Sequence, residues 1–114
     1  MTIKIIRDSI SRQELQEISK KQFGDLVKAV VDVESGIMAI GGELHADEEV
    51  LLSEGGSNRA NIWGINIYPE KFDDDWIEFD SMINIKPQYS NRSRGVENAS
   101  IREKIKAIVK KLII

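Results

Sequence analysis

A chain of 114 residues, 41% hydrophobic and 31% charged, is sized for one domain with a real core, which excludes both wholesale disorder and two independent cores. The absence of cysteine excludes disulfide frameworks, thiolate metal centres and cysteine nucleophiles. A formal charge of -3 argues mildly against a dedicated nucleic-acid binder.

Ile3 to Arg7 reads as a short strand, and Ser11-Arg12-Gln13-Glu14 is a capping box that opens a first helix. Ile10 and Leu15 stand at the hydrophobic-staple positions, and Gly24 is a natural left-handed stop. The β-branched run Leu26 to Val33, the turn Glu34-Ser35-Gly36 and Ile37 to Ile40 predict a β-hairpin. Residues 47–54 suit a short helix capped by Asp47 and ended by Gly55-Gly56, although the same residues suit an extended strand; the helix is the favoured reading.

Asn61 to Tyr68 alternates as a strand ended by Pro69. After the acidic turn Asp73-Asp74-Asp75, Trp76 to Lys86 reads as the longest strand, with Ile77, Phe79, Ser81, Ile83 and Ile85 on its core face. Pro87 to Gly95 is a polar loop, and Ser100-Ile101-Arg102-Glu103 reads as a second capping box opening a C-terminal helix. The fold expected is a single α+β domain over 1–114, a mostly antiparallel sheet of four or five strands with amphipathic helices packed on one face.

Charge is segregated along this frame. Acidic residues crowd positions 43–80, whereas Lys86, Arg92, Arg94, Arg102, Lys104, Lys106, Lys110 and Lys111 dominate the end, so an acidic and a basic side are expected. The lysines of the last helix are those any solvent face would carry, and they add no nucleic-acid signal.

Three places offer chemistry. Gly41-Gly42-Glu43-Leu44-His45-Ala46-Asp47 holds the only histidine, and if the hairpin strand continues through it, Glu43, His45 and Asp47 share a face. Such a trio suits proton transfer or, less well with a single nitrogen ligand, a divalent metal. No metal site is assigned. Asn66 and Asn84 are misfits inside β-forming runs, as though an interaction rewards them. Arg92 and Arg94, set among small polar residues before a helix, suit a phosphate or carboxylate.

Taken with Trp63-Gly64-Ile65-Asn66-Ile67-Tyr68-Pro69, Ser81-Met82-Ile83-Asn84-Ile85-Lys86-Pro87 and Asn91-Arg92-Ser93, the histidine segment resembles a family of small prokaryotic proteins known only as a domain of unknown function. The resemblance implies a stand-alone domain and carries no activity with it. From the residues, the best-supported function is a small polar-ligand or hydrolytic site. Glu43, His45 and Asp47 would be its catalytic groups, and Asn66, Asn84, Arg92 and Arg94 would hold a small anion. The alternative is a non-catalytic interaction or homodimerisation module using a free sheet edge or the apolar end Leu112-Ile113-Ile114. No apolar run is of membrane-spanning length and no secretory signal is evident, so the expected location is cytoplasmic.

Overall fold

A computed structural model describes residues 2–114 of the chain. Its elements are β1 (Lys4–Ile6), α1 (Arg12–Lys21), β2 (Val27–Asp32), β3 (Ile37–Ile40), α2 (His45–Glu54), β4 (Ile62–Ile67), β5 (Ile77–Glu78) and α3 (Ala99–Leu112), with short 3-10 turns between them. The strands form one five-stranded sheet in the order β1-β3-β2-β4-β5, antiparallel at every pairing. This is the α+β architecture expected from the sequence.

Alternation along the strands builds two apolar layers. Val27, Ala29 and Val31 of β2 face the same side as Trp63, Ile65 and Ile67 of β4, where Leu15 of α1 and Ile105, Val109 and Leu112 of α3 complete the main core. The opposite face carries Val30, Ala39 and Ile62, covered by Leu52 of α2 and by Ile83. Two helices therefore share one face and the third lies across the other.

Local chemistry explains the helix ends. Ser11 caps α1, its hydroxyl accepting from the Glu14 N–H at 3.1 Å, and Ile10 and Leu15 both enter the main core. Gly24, at φ 94°, sends its N–H back to Ser19 O at 2.6 Å. In α3 the cap is Asn98 and not Ser100, for the Asn98 amide oxygen accepts from Ile101 N, which moves the start of the helix two residues back from the expected box. Likewise α2 begins at His45 with Leu44 as a cap residue whose side chain has no oxygen to offer, so Asp47 lies inside the first turn and does not cap it.

The long strand expected over Trp76 to Lys86 is a correction of larger scale. Only Ile77 and Glu78 pair with β4, and a 3-10 turn occupies Met82–Asn84. Beyond Glu78, side chains replace the missing backbone partner of β4. The Asn84 amide accepts from Gly64 N at 2.8 Å and donates to Gly64 O at 2.9 Å, and the Lys86 ammonium donates to Ile62 O and to Arg59 O. Gly64 is needed for this approach, since a Cβ there would come within 2.6 Å of Ser81 Cβ and Oγ.

The apolar C-terminus is used within the chain. Ile10 N donates to Leu112 O, Arg12 N to Ile114 O and Ile114 N to Ile10 O, which stitches the tail to the start of α1. Leu112 and Ile113 are buried, and Ile114 remains 74% exposed.

Candidate functional site

Because 41–48 turns from β3 into α2 in place of extending as a strand, Glu43, His45 and Asp47 do not share a face. Residues two apart on a helix point roughly 200° apart. His45 is buried, whereas Glu43 and Asp47 are exposed beside Ile3 and Gly42 at a separate shallow depression. The expected trio is thus taken apart by the helix.

What His45 meets instead is the sheet. Its Nε2 lies 2.7 Å from Ile65 O, and since a carbonyl only accepts, Nε2 carries the proton. Burial pushes the imidazole below its ordinary range, an effect opposed by the bond to Ile65 and reinforced by the nearby Lys28 charge. The ring is therefore neutral at pH 7, with Nδ1 as its remaining acceptor. His45 also lines a cleft of about 180 Å³ with Lys28, Ala46, Ser81, Met82 and Arg94.

Arg94 is thus brought to His45 and Arg92 is not. Asp80 holds the Arg94 Nε at 2.5 Å, and the Asn84 amide holds the Arg94 carbonyl at 2.9 Å. The Arg92 side chain is exposed, and the backbone N–H groups of Arg92 and Ser93 both donate to the Glu97 carboxylate, at 2.8 and 2.9 Å. The chain's own carboxylate fills the anion position that this loop offers. It also holds the Glu97 carboxyl below the usual range.

The asparagines act on the fold before they act on any ligand. Asn84 is fully buried, with its amide committed to Gly64 and Arg94. Asn66 donates to Glu78 Oε1 at 2.8 Å, and its buried carbonyl oxygen has no partner among the described residues. Asn84 is thereby explained as a group that closes the open stretch of β4, whereas Asn66 ties β4 to its ladder partner Glu78. Among the described residues, no set of three His, Cys, Asp or Glu side chains is placed to hold a metal ion.

The chain belongs to the family Protein of unknown function (DUF5674). The family model matches residues 4–112, from the first residue of β1 to the last of α3. No curated protein and no solved structure matches the chain. Among the described residues of this DUF5674 chain, no helix is long and apolar enough to cross a membrane.

Three groups escaped the sequence reading. Glu48 is fully buried and accepts from Gly42 N at 3.0 Å; burial pushes its carboxyl up to about 9, so it is protonated at neutral pH. Lys86 is buried against the Trp63 ring, 4.3 Å from its centre, and burial pushes its ammonium down to about 8. Asn91 binds the carbonyls of Asn84 and Gly95 and receives Glu97 N. For Glu48 the signal was present: in a helix that starts at His45, residues 45, 48 and 52 make one buried stripe.

Proposed function

We propose that this protein binds a small anionic ligand, a phosphate or a carboxylate, in the cleft at the N-terminal end of α2. The observation that carries the reading is the neutral His45 ring, fixed through Nε2 to the sheet, sharing one concave surface with Lys28 and with Arg94, whose Nε is engaged by Asp80. Lys28 and Arg94 supply charge and Ser81 a hydroxyl. The first-turn N–H groups of α2 lack a capping side chain, which suits a negative group at the helix start.

In this arrangement Arg94 neutralises the anion while Asp80 and Asn84 hold it in place, and His45 Nδ1 accepts a hydrogen bond from a ligand hydroxyl or amine. His45 is oriented by a backbone carbonyl and not by a carboxylate, which favours binding over hydrolysis. Titration with inorganic phosphate and with acetate, followed by NMR of the His45 ring and the Arg94 Nε, tests this directly. Millimolar or tighter binding that Arg94→Ala weakens at least tenfold, about 1.4 kcal/mol, is the expected result. Resonances that stay still for both anions, or an affinity unchanged by Arg94→Ala, would overturn it.

A further inference from the structure

Beside the cleft, and continuous with it through Lys28 and Leu44, runs an open trough of about 500 Å³ lined also by Lys21, Gln22, Phe23 and Glu43. It presents apolar surface at Phe23, 41% exposed, and Leu44, 56% exposed, under two lysines against one glutamate. Such surface suits an acidic segment with an apolar anchor.

The chain itself displays one. In Glu70-Lys71-Phe72-Asp73-Asp74-Asp75 four carboxylates surround a single lysine and a phenylalanine that is 88% exposed. This exposure is held in place by the fold. Arg12 of α1 donates to Pro69 O at 2.9 Å and Lys71 O at 3.0 Å, its guanidinium lies 5.5 Å from the Phe72 ring centre and 4.5 Å from that of Trp76, and the Asp73 carboxylate caps Asp75 N. A segment already ordered loses less freedom on docking than a free loop would.

We propose that the acidic loop around Phe72 of one copy docks in the Lys21–Phe23–Leu44 trough of a second copy. Both patches flank α1, whose first residue Arg12 holds the Phe72 loop and whose last residue Lys21 lines the trough, so a reciprocal two-fold pair joins both at once, with Phe72 on the apolar floor and Asp73 to Asp75 facing Lys21 and Lys28. The contact shares Lys28 with the His45 cleft, so a bound anion there would compete with the loop, whereas Lys21 and Phe23 lie outside that cleft and their part in the contact is separate from anion binding.

Sedimentation velocity over a concentration series tests it. The full chain is expected to dimerise in a salt-sensitive way, and Phe72→Ala to weaken the dimer at least tenfold. Lys21→Glu and Asp74→Lys are each expected to be monomeric alone, yet to form a mixed dimer together, since every contact in the mixed pair again joins opposite charges. Thermal unfolding of each variant confirms that it is folded. A wild-type chain that stays monomeric at millimolar concentration overturns the proposal, as does a dimer indifferent to Phe72→Ala or two charge variants that do not pair.

Discussion

Under α1 and α3 the sheet is closed by aliphatic side chains such as Leu15, Ile105 and Val109, whereas its β4 edge and opposite face are closed in part by Asn84, Asn91, Lys86 and Glu48. The first kind of closure needs volume and little direction, so similar side chains substitute at modest cost. The second needs each donor to meet its acceptor. An error there leaves a buried polar group without a partner, which costs more than the bond itself contributed. The cleft at His45 is built on the directional side, where geometry is most tightly specified.

The sharpest test of the directional side is Glu48, which the fold holds in its uncharged form. Its folded value of about 9 lies above the ordinary 4.5, so its contribution is complete below pH 4.5 and is lost as pH rises toward 9. Glu48→Gln keeps an acceptor for Gly42 N and cannot ionise. Chemical denaturation is therefore expected to show the variant more stable than wild type at pH 8 by on the order of 3 kcal/mol, with the gap closing near pH 4. Parallel stability profiles for the two proteins would show that the carboxyl reaches water.

Next in size is the edge. Asn84→Ala strips partners from Gly64 N, Gly64 O and Arg94 O together, and a loss of about 3 kcal/mol is expected. Ile105→Val in the aliphatic layer is the matched control and should cost about 1 kcal/mol. Equal losses in urea titrations would erase the contrast between the two sides. Because Asn84 also holds the Arg94 carbonyl, weaker phosphate binding is expected with it, measured at a temperature where the variant is folded.

The same contrast decides what the sequence revealed. The main core, the hairpin, β4 and the Ser11 cap follow from alternation, helical spacing and capping chemistry, all of which are local. Trp76 to Lys86 alternates as a strand should, yet is mostly irregular, with side chains of that segment in place of its backbone on the β4 edge, a fact set by residues twenty positions apart. At the site, the sequence groups Glu43, His45 and Asp47 by an expected strand face and Arg92 with Arg94 by their shared loop; one member of each group, His45 and Arg94, lines the cleft, and Glu43, Asp47 and Arg92 do not join it. The misfit of Asn84 reflects its bonds to the open stretch of β4, whereas Asn66 bonds across the β4–β5 pair to Glu78.

Lys86 gives a smaller pH effect than Glu48 and one of opposite sign. Its ammonium is buried among the Arg59 and Ile62 carbonyls and the Trp63 face, with Glu49 as the nearby charge that favours the protonated form. Burial outweighs these partners, so the folded value of about 8 lies below the unfolded 10.5. Between those values the unfolded chain holds the proton that the folded one has released, and stability rises with pH. A gain of about 1–2 kcal/mol from pH 8 to 10.5 is expected once Glu48→Gln has removed the opposing slope. In Glu48→Gln/Lys86→Met that rise should vanish, because the thioether does not titrate, while the protein loses stability at every pH from two carbonyls left without a donor. A rise that survives the methionine would assign the proton to another group and leave Lys86 as a permanently charged clamp on the β4 edge.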